Sequence, residues 1–395
     1  MSKIDDLIKQ YCPNGVEYKE LGDILDYEQP TRYIVKSARY DSNADTPVLT
    51  AGQTFILGYT FEKDGIYKAS KKNPVIIFDD FTTSYHWVDF NFKVKSSAMK
   101  MLRPKPDFDG IFKYVLYAMG EIHYSPQDHA RQWISQYSKF KIPVPHPRVQ
   151  EEIVKVLDAF TALEAELEAE LEARKRQYEY YRNKLLTFDE NTTGGGRIKF
   201  MQLGDVGTFI RGNGLQKKDF TDTGVGCIHY GQIYTYYGTF AERTKSYVSN
   251  ELAEKLKKAR TGDLIIATTS ENVEDVGKAV AWLGNEDICI GGHSYAFHHN
   301  QNPKYMAYLF QTEAFNQQKK KVVKGVKVID INDSAMSKFK FGFPPLDEQE
   351  RIVAILDKFD SLVNDISEGL PAELTARRQQ YEYYRNKLLT FDEAA

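Results

Sequence analysis

Cys227, His229, Cys289 and His293 are the residues of this 395-residue chain best suited to hold a transition metal. Thiolate and imidazole are the usual zinc ligands, but zinc sites draw them from recurrent close pairs such as CxxC. The spacings here are CxH and CxxxH, so no metal is expected. Asp79-Asp80 closes the apolar run Val75-Ile-Ile-Phe78, where nuclease carboxylates can sit; a strand-end turn is the preferred reading. Gly277-Lys278 is followed by Ala279, which has no hydroxyl for Mg²⁺, so it is not a P-loop. Phe343-Pro-Pro-Leu346 lacks the polar residue that holds the target amine in amino-methyltransferases, and Gly212-Asn-Gly214 alone makes no methyl-donor loop. Asp347-Glu-Gln-Glu350 reads as an acid-rich helix start. No catalytic residue is expected.

The elements that carry these residues are arranged as a repeat, the pattern to find before any other. Residues 178–190 read Tyr-Glu-Tyr-Tyr-Arg-Asn-Lys-Leu-Leu-Thr-Phe-Asp-Glu, and residues 381–393 read the same thirteen letters 203 positions later. Upstream the match resumes at a spacing of 199, where Ser138-Lys-Phe-Lys and Gln150–Phe160 align with Ser337-Lys-Phe-Lys and Gln349–Phe359. The second copy therefore carries four extra residues near Glu368-Gly-Leu-Pro371. Fainter echoes precede each copy: Leu21-Gly-Asp23 with Leu203-Gly-Asp205, and Pro74-Val-Ile-Ile-Phe with Asp263-Leu-Ile-Ile-Ala. The order is a diverged globular unit, a preserved segment, a second diverged unit and a second preserved segment.

Apolar residues in the preserved segments fall at steps of three and four, from Ile153 to Phe188 and from Ile352 to Phe391. That spacing predicts one apolar stripe on each of two long helices. Pro145 and Pro147 precede the first and Pro344 and Pro345 the second. Each helix of about 40 residues would reach roughly 60 Å at 1.5 Å per residue. A lone striped helix of that length is unstable in water, so the two stripes are expected to pair as a coiled coil. One globular unit at each end implies pseudo-twofold symmetry and antiparallel helices. Gly369 and Pro371 predict a kink. Leu163-Glu-Ala-Glu-Leu167-Glu-Ala-Glu-Leu171 is a tandem four-residue unit whose length could change without losing the stripe, as an adjustable spacer would.

Hydrophobic residues at 42% and charged residues at 27% exclude a mainly disordered chain, and the length suggests two or three domains. Three cysteines without a CxxC pair exclude a disulfide scaffold and favour a reducing setting. No apolar leader opens the chain and no run of 18 apolar residues occurs, so a cytoplasmic location is expected. The net charge of −3 hides a split. Residues 150–190 carry a net −5 and residues 348–393 a net −4, which leaves the remainder at +6. Basic, aromatic-laced globular units suit a phosphate backbone. Basic candidates are Lys68, Lys71, Lys72, Lys93 and Lys95, then Lys217, Lys218, Lys319, Lys320, Lys321, Lys324 and Lys327. Base edges are read by Arg, Lys, Asn, Gln and at times Ser or Thr. The candidates in the first unit are Gln53, Thr54, His86, Trp87, His129, Arg131 and Gln132. In the second they are Arg211, Asn213, Gln232, Tyr234, Thr268, Thr269, Ser270, Asn272 and His293.

Two diverged units, each followed by a near-identical helical segment, resemble the specificity subunit of type I restriction–modification systems. The text Tyr-Glu-Tyr-Tyr-Arg-Asn-Lys-Leu-Leu, the Ile-Leu-Asp-Lys-Phe359 run and Gly369-Leu-Pro371 carry the resemblance, which spans nearly the whole chain. It implies an α+β fold with two target recognition domains of mixed sheet and helix. The expected spans are 1–147 and 198–346 for the recognition domains, 148–190 and 347–393 for the helical spacers, and 191–197 for a linker. Each domain would read one half of a bipartite asymmetric DNA site. The helices would set the spacing and dock two methyltransferase subunits, with motor–nuclease subunits added. The chain itself would be non-catalytic, with S-adenosylmethionine on the methyltransferase partner. Docking residues are expected on the helices, at Phe160, Leu163, Leu167, Tyr178, Tyr181, Arg182 and Leu185. Those on the second copy are Phe359, Leu362, Leu370, Tyr381, Tyr384, Arg385 and Leu388.

Overall fold

The repeated text forms three helices in the computed structural model, which describes residues 3–52, 54–126, 130–190, 197–325 and 327–394. Helix α1 spans Pro147–Leu186, α2 Leu346–Asn364 and α3 Leu370–Leu389. Pro147 opens α1, where a missing N–H costs nothing. The second preserved segment leaves the helix at the expected kink. Asp365 Oδ1 accepts from Ser367 N at 2.7 Å and Glu368 N at 3.3 Å, closing a turn. A Cβ on Gly369 would lie 2.5 Å from the Ser361 carbonyl, so only glycine allows this approach. Pro371 then sits in the first turn of α3. Among the described residues no helix is long and apolar enough to cross a membrane.

The chain forms two compact units. Unit 1 is Met1–Leu167 together with Leu374–Ala395; unit 2 is Glu168–Glu373. The division falls inside α1, and the end of the chain folds with its beginning. The linker expected at 191–197 lies, for residues 191–196, outside the described residues.

Unit 1 holds an antiparallel four-stranded sheet in the order Leu25–Glu28, Met99–Pro104, Val75–Asp79, Tyr85–Val88. Val75 to Phe78 are fully buried, as the unbroken apolar run requires. A three-stranded sheet places Thr46–Leu49 between Ile56–Thr60 and Lys93–Val94. Glu17–Glu20 pairs with Lys141–Val144. The core continues into Ile153 and Leu157 of α1 and Leu389 of α3. Burying each such side chain is worth about 1.5–3 kcal/mol. Within this unit α1 and α3 run antiparallel. The Phe160 ring lies 5.5 Å from Tyr384, while Glu164, one turn further on, pairs with the earlier Arg378 at 2.6 Å. The tail closes beside the first strand: Val16 N donates to Asp392 O at 2.9 Å and Ala394 N to Val16 O at 3.0 Å.

Unit 2 holds a five-stranded sheet in the order Gly207–Arg211, Ser294–His299, Leu264–Ala267, Ala279–Trp282, Phe240–Ala241. A four-stranded sheet follows the order Ser246–Val248, Val225–Ile228, Ile288–Ile290, Lys258–Ala259. Its core takes in Tyr178 and Leu186 of α1 and Ile352, Leu356 and Val363 of α2.

Each unit ties its long helix to a short one, Phe112–Met119 in unit 1 and Pro303–Leu309 in unit 2, and to the end of a strand, with the same bonds. Gln150 accepts from Ile111 N at 2.7 Å and donates to Pro145 O at 2.7 Å; Gln349 does the same with Asn302 N at 3.0 Å and Pro344 O at 2.9 Å. Lys113 pairs with Asp158 at 3.0 Å and Lys304 with Asp357 at 2.8 Å. Tyr117 and Tyr308 donate to those same aspartates. Phe160 stacks with Tyr384 and Phe359 with Tyr181.

Candidate nucleic-acid interface

In unit 2 the strand Leu264–Ala267 runs out beside the turn that carries His293. Thr269 Oγ1 lies 3.1 Å from His293 Nδ1 and donates to Asp330 Oδ1 at 3.0 Å. Tyr234 donates its hydroxyl to Thr269 O at 2.9 Å. The Tyr230 ring lies 5.0 Å from His293 and 4.5 Å from His229. Tyr230, Tyr234 and Thr269, with Ser270, Glu271, Asn272, Asp275 and Val328, line an open cleft, and His293 and Asp330 stand beside it through their contacts with Thr269. Arg211 is exposed and donates Nε to Gly292 O at 3.3 Å on the same turn. The cleft brings aromatic faces, hydroxyls and the Glu271 and Asp275 carboxylates together, and the turn beside it adds an imidazole and a guanidinium, groups of the kinds that bond base edges, sugars and phosphates. Lys217, Lys218, Lys324 and Lys327 are exposed, as phosphate contacts must be.

Several expected readers serve the fold instead. Thr268 is buried; its N–H donates to His293 O at 2.9 Å and its carbonyl accepts from Ile331 N at 3.0 Å. Gln232 caps a helix, accepting from His229 N at 3.0 Å and donating to Ser246 Oγ at 2.7 Å. Asn213 spends its amide on Lys255 O at 2.9 Å and Lys257 N at 2.7 Å. Asn272 is exposed, yet it closes its own loop on Asp275 through bonds of 2.8 and 2.7 Å. Within the lysine cluster Lys320 and Lys321 are exposed, but Lys319 is interior and donates to Glu274 O at 2.8 Å. Burial lowers the pKa of Lys319 to about 8. The Cys227 and Cys289 thiols lie on paired parallel strands, and burial pushes Cys227 up to about 12. Among the described residues no group of three His, Cys, Asp or Glu could hold a metal.

In unit 1 Lys68, Lys71 and Lys72 are exposed about the Ser70–Asn73 turn, and Thr54, Lys95 and Arg131 are exposed as well. Gln53 and His129 lie outside the described residues. His86 stacks on Phe55 at 4.6 Å with Nε2 3.2 Å from Gly52 O. Trp87 packs on Phe112 at 5.1 Å beneath the Lys113 ammonium, so it belongs to the helix–sheet junction. Gln132 is 2% exposed, accepts from Tyr124 OH at 2.7 Å and donates to Ala130 O at 2.9 Å. Lys93 is buried, donating to Asp64 O at 2.7 Å and Gly65 O at 3.2 Å. Asp79 Oδ1 accepts from Phe81 N and Thr82 N in the expected strand-end turn. Asp80 forms a buried ion pair with Lys100 at 3.2 Å.

The residues expected to dock partners are largely used inside their own units. Tyr178 is buried and donates to Asp360 at 3.0 Å; burial and that carboxylate raise its pKa. Arg182 bonds Gln311 at 3.2 Å, and Arg385 pairs with Glu121 at 2.6 Å. Phe160, Tyr381 and Tyr384 pack on each other, as do Phe359, Tyr178 and Tyr181. Leu185 packs on the core of unit 2 and Leu388 on that of unit 1. Leu163, Leu167 and Leu370 are half-buried, and Leu362 is exposed. Two aromatics outside that stripe stand out: Tyr180 is 59% and Tyr383 61% exposed. Their signal was in the text, because the two copies agree at outward positions as well as inward ones. Tyr230, which lines the cleft, and Asp330, which bonds Thr269 beside it, escape sequence reasoning, since nothing in their neighbours marks them.

A family model described as the type I restriction modification DNA specificity domain matches this chain twice, at residues 13–173 and 197–376. The chain is 41% identical to the EcoR124I/EcoR124II type I restriction enzyme specificity subunit of Escherichia coli, over 99% of this chain and 98% of that protein. It is 29% identical to a putative type I restriction enzyme specificity subunit of Haemophilus influenzae, over 95% and 96% of the two. Its fold is similar to that of a solved S subunit from M. genitalium, with a TM-score of 0.55 at 14% identity over 95% of this chain and 96% of the other. A chain from a structure of type I R-M complex assembly gives a TM-score of 0.60 at 15% identity, over 95% and 98%.

Proposed function

This chain belongs to the family of type I restriction–modification DNA specificity proteins, and on that premise we propose that each compact unit reads one half of a split, asymmetric DNA sequence. It is the DNA-recognition subunit of its system and not the catalytic one. The observation that carries the proposal is the doubling. The specificity domain occurs twice, and both units hang on their helices by matching bonds while their exposed loops bear different side chains. A shared anchor with different loops suits two readers of different sequences. In unit 2 the readers are Arg211, Tyr230, Tyr234, Thr269, Ser270 and His293, with Lys217, Lys218, Lys324 and Lys327 on phosphates. In unit 1 they are Arg131, Thr54 and His86, with Lys68, Lys71 and Lys72.

The outward faces around Tyr180 and Tyr383 dock one methyltransferase subunit each, and motor–nuclease subunits complete the assembly in the cytoplasm. The methyltransferase carries S-adenosylmethionine. Genome-wide methylation mapping in a methylation-free host expressing this chain with its methyltransferase tests the reading. A split, asymmetric motif that disappears when this chain is omitted is expected; methylation unchanged without it would overturn the proposal. Removing one Leu-Glu-Ala-Glu unit between Leu163 and Leu171 shortens α1 by about 6 Å. At 3.4 Å per base pair the gap between the half-sites is expected to narrow by about one or two base pairs. An unchanged gap in the mapped motif would sink the spacer role.

A further inference from the structure

Lys319 sits near the end of the helix Glu313–Lys320 and is 2% exposed. A buried ammonium is costly unless bonded. Its bond runs to the Glu274 carbonyl at 2.8 Å, in the loop that links the strands Leu264–Ala267 and Ala279–Trp282. The stem of Lys319 supports the same loop from below. A Cβ on Gly277, whose φ is +82°, would lie 3.4 Å from Lys319 Cδ and from the Phe315 ring. The loop therefore crosses this lysine at contact distance, and its closing residue favours glycine through its φ rather than for want of space. Further along, the loop supplies Ser270, Glu271, Asn272 and Asp275 to the cleft.

Packing alone does not call for a lysine here. Burial lowers its pKa to about 8 from an ordinary 10.5. Glu274, Asp275 and Glu313 favour its charge and Lys320 opposes it, with burial the larger influence. A folded pKa below the unfolded one means that the charge weakens the fold at neutral pH. That penalty is relieved only as pH rises past about 8 towards 10.5. A methionine would fill the same space without it.

We propose that Lys319 is a positioning residue for DNA recognition: its buried ammonium grips the Glu274 carbonyl and holds the 269–277 loop in the shape that meets one DNA half-site. This rests on unit 2 being a DNA reader. Lys319 does not touch the DNA; it fixes the loop that does, so that the ordering cost is met before binding.

The test uses the full chain in complex with its methyltransferase, on duplexes bearing the mapped motif or a motif with one half scrambled. Lys319→Met is expected to lower affinity for the intact duplex about tenfold at pH 7, the cost of ordering one or two side chains on binding. Its affinity for duplexes scrambled in the unit 2 half should equal that of the parent protein, and its melting temperature should be unchanged or higher. The difference from the parent should shrink as pH rises past about 8, and Lys319→Arg should recover part of the loss. Equal binding of intact duplex by parent and Lys319→Met overturns the proposal. So does a loss equal on both duplexes and accompanied by a lower melting temperature, which marks a packing role. A parent protein indifferent to scrambling of either half instead defeats the DNA-reading premise, whatever Lys319 does.

Discussion

In both units the central strand ends by holding a segment from late in the same unit, and the two ends are built from opposite materials. In unit 1 Asp80 O accepts from Gln132 N and Asp80 Oδ1 from Trp133 N, both at 2.8 Å, while the other carboxylate oxygen faces Lys100 at 3.2 Å. In unit 2 Thr268 O accepts from Ile331 N at 3.0 Å, and the neighbouring Thr269 hydroxyl meets Asp330. The backbone bond is common to both; a buried charge pair has been exchanged for hydroxyls. The helical anchors show no such exchange: Gln150 and Gln349, Asp158 and Asp357, Tyr117 and Tyr308 do identical work. Divergence is concentrated where the strands open towards the exposed loops, and identity where they rest on the helices. What each unit reads has been free to change, and what it stands on has not.

The comparison can be broken most forcefully through α3. A chain ended after Glu373 keeps all of unit 2 but strips Tyr381, Leu388 and Leu389 from unit 1. Unit 1 is expected to lose about 5 kcal/mol or more, since single large apolar deletions cost about 2–5 kcal/mol. Hydrogen exchange read by mass spectrometry should show unit 1 peptides unprotected and unit 2 peptides unchanged. Next in size is Lys100→Met. Both partners of the ion pair are 1% exposed, and the variant strands the Asp80 carboxylate. A loss of about 3–5 kcal/mol confined to unit 1 is expected. Thr268→Val should cost unit 2 far less, because the bonds that hold the late segment come from its backbone and its hydroxyl makes only a 3.4 Å contact with Thr269.

Acid should reverse the order of the two. Burial lowers the His299 pKa to about 4, and its Nδ1 already accepts from Gln301 N at 3.2 Å. An imidazole neutral in the fold but charged when unfolded stabilises unit 2 above pH 6.5 and loses that contribution as pH falls towards 4. Unit 2 exchange should accelerate over that range, and His299→Phe should flatten the dependence. The smallest effect concerns the repeat itself. Tyr178→Phe removes a bond to Asp360 and should cost about 1 kcal/mol. Tyr381→Phe should cost less, because at the matching repeat position Thr161 points its hydroxyl to the carbonyls of Leu157 and Asp158. Equal losses would mean that the copies are closer in energy than in contacts.

Much of this was legible in the text. The three-and-four spacing fixed which helical positions are apolar, Pro147 fixed a start, and Gly369 with Pro371 marked the interruption. Periodicity does not say which neighbour covers a stripe, so Tyr178 and Arg182 look like docking residues although unit 2 itself covers them. The readers were harder for a chemical reason. Amides and hydroxyls that recognise bases are the same groups that satisfy backbone donors and acceptors. Gln132, Gln232 and Asn213 look like readers and act as caps and ties. Lys93 and Lys319 look like surface cations, yet Lys93 clasps two backbone carbonyls of a loop and Lys319 clasps one.

Because residues 374–395 belong to unit 1 together with residues 1–167, unit 1 is begun before unit 2 and finished after it. A nascent chain emerges from the ribosome N-terminus first. Unit 2 is complete once residue 373 is out, while Ile153 and Leu157 wait, with part of their apolar face uncovered, for Leu389 to arrive. Synthesis of this segment therefore acts as an inspection point: a message cut short before Leu389 yields a protein with one sound reader and one that cannot close.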